Sequence, residues 1–434
     1  MIKKVLIITY YFPPRSSVAS LRLKGLAKYL PEFGWKPVIL TAALPGYPNQ
    51  RFKVIQTPYP GDLSDLWKKR LHLCPDKGFQ EQIEILLAIR GRRKSFTAKL
   101  ITIIKGLFVY PDDQKRWYPF AVKTGMKIMK EGNFKAIISS SGPVTTHLIA
   151  KELKIKYNVP WIADLRDLWT QNHYYSYGIL RKWFERRLEI NVLSYVDALV
   201  TVSEPLAETL NTLHLKKSIF TILNGFDPDD VNTSVPLTKE FTITYTGQLY
   251  QGKRNPELLL KAIRELIDEN IIKSNNIRVN FFGPLQYWLT QEIKKYRLEG
   301  TIKQYGIVNR EVALRKQRES QILLLLNSNN VRDRGTYTGK LFEYLAAKRP
   351  ILAIGGPKGV VSELLDETNT GIHISSDLII LKNVLVKYSE EYRMYGRVLY
   401  RGKEKKIKKY SHRAMAKKFA DVLNKFCVVD YLKI

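Results

Sequence analysis

Two cysteines, Cys74 and Cys427, are too few for a disulfide framework or a multi-cysteine zinc site in a chain of 434 residues. They fit a reducing compartment. No apolar run reaches the ~18 residues that a membrane span needs. The apolar start of "MIKKVLIITYYFPPR" is short, has no small-residue cleavage site and runs into aromatics and prolines. It reads as a buried first strand rather than a secretion signal. Low-complexity tracts are lacking too. Acid is scarce: 40 Asp and Glu stand against 71 Lys and Arg, a formal net charge of +31. That surplus fits either a solvated basic surface or a polyanionic partner, nucleic acid or an acidic membrane face. The basic residues follow helix faces without an interleaved aromatic platform, and no nucleic-acid module is recognisable. No nucleic-acid partner is expected.

What is present is a globular composition, 45% hydrophobic, in a chain longer than the ~250–300 residues at which single cores stop growing. Strand patterns at 3–12, 36–42, 136–141, 160–165, 197–203 and 220–225 alternate with helical ones, the first at about 20–30. A polar stretch, "DPDDVNTSVPLTKE", follows at 227–240. The rhythm restarts with strands at 241–247, 277–283, 322–327 and 351–356. Short β-branched runs alternating with amphipathic helices predict α/β architecture with parallel, doubly wound sheets. The expected division is a domain at 1–228, a linker at 229–240, a second domain at 241–407 and a basic terminal helix at 408–434 that packs back toward the first domain. Ligands in such folds bind beyond the carboxyl ends of the strands.

The stretch "TGKLFEYLAAKRPILAIGG", 338–356, begins like a phosphate loop. A nucleotidase loop needs Gly, four residues, then Gly-Lys-Ser/Thr. Here Gly335 is too close and Leu341 replaces the hydroxyl. A helix opening after a flexible turn still offers unpaired N–H groups and a positive dipole end to an anion. Glu343 sits on a helix whose other residues are largely apolar, so its carboxylate needs partners. Asp227-Pro-Asp229 spells a metal-binding Asp-x-Asp, yet it falls at the start of the linker. A turn or cap is the better reading, and no metal is expected.

In order along the chain stand "YYFPPRSSVASLR", "SSSGPVTTHLIAKEL", "PWIADLRDLW", "VSEPLAETL", "ILNGFD", "YTGQLYQGKRNP", "FFGP", "YGIVNRE" and "GKLFEYLAAKRPILAI". Together they resemble glycosyltransferase family 4, in its bacterial surface-polysaccharide branch. The resemblance implies two facing Rossmann-like domains (the GT-B fold) with a cleft between them. It also implies retaining transfer of a sugar from a nucleoside-diphosphate donor to a saccharide acceptor, lipid-linked in that branch. The donor is a co-substrate, and no cofactor is implied. On this reading Lys253 and Arg254 neutralise the departing diphosphate, where fixed cations lower the barrier most. A solvated basic turn is the plain alternative. Thr338, Gly339 and Lys340 present the diphosphate site, and Glu343 accepts the ribose hydroxyls. Gly247 and Gly283 line the site, and Ile307 and Val308 frame the base. Ser16 and Ser17 replace two family glycines beside the diphosphate. Arg166 and Asp167 position sugar or acceptor, unless they form a structural ion pair. Gln248 and Gly335 depart from the family pattern, which has an arginine and a glutamate there. Lys348 stands where a glycine often ends the helix, so a left-handed backbone at that site carries strain.

The segment 85–108, "ILLAIRGRRKSFTAKLITIIKGLF", has six Lys or Arg and no acid. Arg90, Arg92, Arg93 and Lys94 are expected on an anionic membrane surface; a core-facing helix with a solvated basic face is the alternative. The expected location is cytoplasmic, peripheral on the inner face of the cell membrane. Two other readings remain open: a sugar-nucleotide epimerase of the same fold, and a non-catalytic sugar-nucleotide or nucleic-acid binder.

Overall fold

Alternate residues of the first strand, β1 (Lys3–Ile8), are buried on opposite faces: Val5 and Ile7 in one core layer, Leu6 and Ile8 in another. A strand apolar on both faces belongs inside a parallel sheet covered by helices on each side. In the computed structural model, which describes residues 2–15, 17–70, 109–175, 177–231 and 235–427, that sheet is the centre of the first of two units.

The first unit comprises the chain up to Leu223 and again from Met415 on. Its strands are β1, β2 (Trp35–Ala42), β3 (Val54–Thr57), β4 (Phe134–Ser140), β5 (Trp161–Asp164), β6 (Ala198–Thr201) and β7 (Ser218–Thr221). Among the described residues they form one parallel sheet in the order β3-β2-β1-β4-β5-β6-β7. The order reverses between β1 and β4, so a crevice opens at their carboxyl ends. The terminal helix His412–Cys427 lays Met415, Phe419 and Leu423 against the Val5 and Ile7 layer. Asn424 fixes it further, accepting from Trp35 Nε1 at 3.2 Å and Lys3 Nζ at 3.3 Å.

The second unit is Asn224–Ala414. Its strands β8 (Phe241–Thr246), β9 (Ile277–Phe282), β10 (Ile302–Gln304), β11 (Ile322–Leu326), β12 (Ile351–Ile354) and β13 (Gly371–Ile374) pair in parallel as β10-β9-β8-β11-β12-β13. One core layer joins Ile243, Tyr245, Val279, Leu324 and Leu352 with Leu259 and Ile263 of the helix Glu257–Asp268. Here the order reverses between β8 and β11.

Boundaries differ from the sequence expectation. The second unit starts at Asn224 rather than after a linker at 229–240. The cause is a backbone pairing remote in sequence: Phe226 N donates to Tyr410 O at 3.1 Å, and His412 N donates to Phe226 O at 2.8 Å. Residues 220–225 are therefore strand only to Thr221. The terminal helix starts at His412 rather than 408, after a 3-10 turn at Lys408–Tyr410. The short strands β3, β10 and β13 were not expected.

Candidate functional site

At the reversal point of the second unit, β8 is followed by Gly247 with φ +108, a conformation side chains rarely adopt. Its N–H donates to Phe282 O at 2.6 Å, at the end of β9. A Cβ on Gly247 would meet Lys340 Cε at 2.4 Å, and one on Gly283 would meet the Gly247 carbonyl oxygen at 2.2 Å. Gly283 is thus required by its approach to the Gly247 backbone, and Gly247 by its positive φ, with the Lys340 side chain lying over it.

That lysine opens the helix Gly339–Ala347, which follows β11 and a 3-10 turn at Val331–Gly335. Leu341, Phe342, Tyr344 and Leu345 bury the helix against the sheet. Tyr344 OH accepts from Thr246 N at 3.1 Å and so ties the helix to the end of β8. Thr338 is the N-cap, but its hydroxyl does not cap the helix, and Thr338 Oγ1 is buried without a hydrogen-bond partner among the described residues. The first-turn N–H groups have no partner inside a helix. Lys340 Nζ donates to Tyr245 OH at 2.8 Å and lies 4.5 Å from that ring's centroid. Burial, and next the Arg254 charge, lower its pKa to about 7, while Glu343 opposes the drop. The site therefore holds a poorly solvated cation that an anion would favour.

One turn further on, Glu343 Oε1 takes Arg310 Nη1 at 2.5 Å, and Arg310 reaches Asp230 at 3.3 Å. Glu343 Oε2 accepts from Gln317 Nε2 at 3.3 Å; the same amide donates to Thr246 Oγ1 at 2.9 Å. Glu343, expected to await ribose hydroxyls, is already ion-paired. Gln317 Oε1 is buried with no partner among the described residues. Gly283 N donates to Gly306 O at 2.9 Å, bringing the third loop alongside. In that loop Ile307 is 79% exposed and Val308 half-buried, and Tyr305 stacks on Phe282 with centroids 4.6 Å apart. Lys253 is exposed, and Arg254 lies over the Tyr250 ring at 5.1 Å.

The structure thus gathers Gly247, Gly283, Thr338, Gly339, Lys340, Glu343 and Arg254 within one unit. Tyr245, Arg310 and Gln317 belong with them and were missed. A polar glutamine on the buried side of the helix Arg310–Glu319 was the available signal.

The remaining candidates lie in the first unit. Ser17 caps the helix Val18–Tyr29: its Oγ accepts from Ser20 N at 3.0 Å, and its N–H donates to Ser20 Oγ at 3.0 Å. Both polar groups are thus occupied by the cap. Ser16 lies outside the described residues, as do Arg90, Arg92, Arg93 and Lys94. Arg166 Nε donates to Ser141 O at 2.8 Å, and burial lowers its pKa; Asp167 is exposed. The nearby carboxylate that is fully buried is Asp164, held by Arg22 through bonds of 2.9 and 3.1 Å and by Ser140 Oγ at 2.8 Å. His147, also sealed in the core, shares a 2.7 Å bond with Ser139, and burial lowers its pKa to about 4. In the second unit, Asp227 accepts from Asp229 N at 3.1 Å, the geometry of a turn cap.

Comparison with known proteins gives the following. A family model described as Glycosyltransferase Family 4 matches residues 77–230. Among solved structures, sucrose-phosphate synthase from Thermosynechococcus elongatus is similar at a TM-score of 0.62 and 12% identity, covering 98% of this chain and 100% of that one. Anabaena HepE in complex with UDP and glucose gives 0.60 and 12%, with 98% and 100% covered. TarM gives 0.59 and 11%, with 98% and 99% covered. No curated protein matches the sequence. At such identities the structural likeness shows the fold, and that fold is GT-B: two Rossmann-like units, each with a parallel sheet.

Proposed function

We propose that this chain is a glycosyltransferase of family 4, whose model matches residues 77–230, and we propose its donor, its acceptor and its stereochemical course. The donor is a nucleoside-diphosphate sugar bound at the carboxyl end of β8. The observation that carries this reading is the Lys340 ammonium, held over Gly247 at the start of a helix and short of anionic partners. The similar HepE was solved with UDP and with UDP-glucose, which supports a nucleoside-diphosphate donor.

On this proposal the diphosphate meets Lys340, Arg254 and Lys253 together with the N–H groups of Gly339 and Lys340. Preorganised positive groups stabilise the charge that grows on the leaving oxygens, and no metal is required. Glu343 exchanges Arg310 for the ribose hydroxyls. Ile307 and Tyr305 offer apolar surface to the base. The acceptor hydroxyl attacks from the side the diphosphate leaves, giving its proton to the departing phosphate, so configuration is retained. Arg166 and Asp167 are assigned to the acceptor, a lipid-linked saccharide in this proposal. No helix among the described residues is long and apolar enough to cross a membrane; a peripheral position on the inner face of the cell membrane is part of the proposal.

The test is incubation with a panel of nucleoside-diphosphate sugars, with and without saccharide-lipid acceptors. Nucleotide release and NMR of the new anomeric centre are the readouts. Acceptor-dependent release with retained configuration is expected. An epimerised sugar nucleotide formed from donor alone, or inversion, overturns the proposal.

A further inference from the structure

The helix Ile179–Leu193 of the first unit is built inside out. Its buried face carries charge: Arg181, Glu185 and Glu189. Arg181 pairs with Glu185 at 2.5 Å and donates to the carbonyls of Val109 and Pro111 at 2.6 and 2.9 Å. Glu185 also accepts from Trp169 Nε1 at 3.1 Å, and Glu189 from Thr170 N at 3.1 Å. The inward charges are therefore matched.

Apolar side chains point outward instead. Ile179 is 90% and Leu180 70% exposed, and Trp183, Phe184 and Ile190 are exposed as well. At 3.6 residues per turn Ile179, Trp183 and Ile190 share one line, with Leu180 and Phe184 beside it. A surface helix ordinarily turns its apolar stripe to the core. A contiguous outward stripe marks an interaction surface.

Charge indicates what covers it. Lys182, Arg186 and Arg187 are exposed on the same helix, and the Arg187 guanidinium lies over the Trp183 ring, 3.6 Å from its centroid. The helix has two acids, Glu185 and Glu189, and both face inward. The outward surface is thus aromatic, aliphatic and cationic, with no acid among its residues. That combination complements the boundary of an anionic bilayer. There, rings settle at headgroup depth, aliphatic chains enter the acyl edge and cations reach lipid phosphates.

We infer that the outward face of Ile179–Leu193 docks on an anionic lipid surface. Trp183 and Phe184 enter the headgroup–acyl boundary, and Lys182, Arg186 and Arg187 lie on the phosphates. This rests on the proposed membrane location and names an element that makes the contact; it is independent of the donor site.

The test is flotation of the full chain with vesicles of phosphatidylglycerol and phosphatidylcholine, and with phosphatidylcholine alone, across a salt series. Wild type floats with the anionic vesicles. R186Q/R187Q lowers the partition about thirty-fold at low salt, at ~1 kcal/mol per basic residue, and the difference shrinks as salt rises. W183S/F184S lowers it at least about ten-fold at every salt, because apolar burial is unscreened. All four side chains are exposed, and thermal unfolding together with donor calorimetry checks that both variants are folded. The inference is overturned if the variants float like wild type, which would put the contact elsewhere, for instance at 90–94. It is also overturned if wild type ignores anionic vesicles, or sediments as a dimer that W183S/F184S dissociates, meaning a second copy covers the face. Loss of donor binding by wild type would sink the proposed function and leave the vesicle result standing.

Discussion

The two sheets reverse their strand order in the same way, yet the polar groups at the two reversal points are arranged oppositely. Near β1 and β4, the groups satisfy one another. Asp164 is bound by Arg22 and Ser140, Arg22 also donates to the carbonyls of Ile222 and Leu223 at 3.0 Å each, and Ser17 and Ser20 cap reciprocally. His147 Nε2, beside β4, is sealed from water and belongs to a neutral imidazole; Ser203 Oγ and Thr221 Oγ1, just past β6 and at the end of β7 and so farther from the reversal point, are also buried without a partner among the described residues. Near β8 and β11, Lys340 has a phenol for a partner, and Thr338 Oγ1 and Gln317 Oε1 are buried without one. Buried polar groups without partners are costly. Retaining several at one strand edge is expected where a ligand completes the set. On the proposed function, the comparison makes one reversal point scaffold and the other the anion site.

The comparison breaks most visibly at Asp164. Replacing it with Asn keeps the shape but leaves the buried Arg22 charge without its counter-ion, a loss of about 3–5 kcal/mol. Urea unfolding should show that loss. If instead stability holds within about 1 kcal/mol while sugar transfer collapses, Asp164 is functional and the first reversal point is misread as scaffold.

Lys340→Met is the opposite case. Removing a desolvated cation should leave stability unchanged or raised, while donor affinity falls by about 1.5–3 kcal/mol, the usual worth of a hydrogen bond to a charged group. Affinity should also depend on pH. The free-state pKa is about 7, and a bound diphosphate would raise it. Below pH about 7 the ammonium is already formed and affinity is greatest. As pH rises from there toward the bound-state value, binding must take up a proton and affinity falls, approaching ten-fold per unit. Calorimetry in buffers of different ionisation heat reads the proton uptake directly. A wild-type profile that Lys340→Met leaves unaltered would show that another cation holds the anion. The same depression makes the charged lysine unfavourable to the fold. The unfolded chain binds more protons between the folded and unfolded pKa values, so this group's contribution to stability rises with pH across that window.

Legibility followed the same division. The places of Gly247, Gly339, Lys340 and Glu343 on the fold were readable because each sits at a fixed offset from a strand end or helix start, and local sequence encodes those ends. Alternating apolar runs likewise disclosed two parallel sheets. What escaped depends on pairing across the chain. Arg22 and Asp164 are separated by 142 positions, and nothing near either announces the other. Tyr245 is tied to the site by Lys340, 95 residues on, whose ammonium reaches its hydroxyl. Ser17 was read against a family glycine, whereas its role is set by Ser20, three residues away. The first boundary moved to Asn224 because Phe226 pairs with the backbone near Tyr410, a contact no linker composition reveals.

The smallest effect concerns how helices end beside each site. Asn158 closes the helix Thr145–Tyr157 in the first unit, and Asn369 and Gly396 close two in the second, all with positive φ. Lys348, which ends the Gly339–Ala347 helix, has φ 54 and ψ 45. The left-handed region costs a residue with a Cβ roughly 1–2 kcal/mol, and asparagine tolerates it better. Lys348 is partly compensated by its 2.7 Å ion pair with Glu404, but both side chains are about half exposed and such pairs contribute about 0–1 kcal/mol. Glycine would relieve the strain while adding freedom to the unfolded chain, about 0.5–1 kcal/mol in the other direction. Lys348→Asn should therefore stabilise by up to about 1 kcal/mol, and Lys348→Gly by less, with donor affinity unchanged in both. For a unit of this size that is a rise of about 2–4 °C in Tm at most. A fall in Tm for both variants would mean that the Glu404 pair outweighs the backbone strain, and that this helix end is secured by charge where the others are secured by residue type.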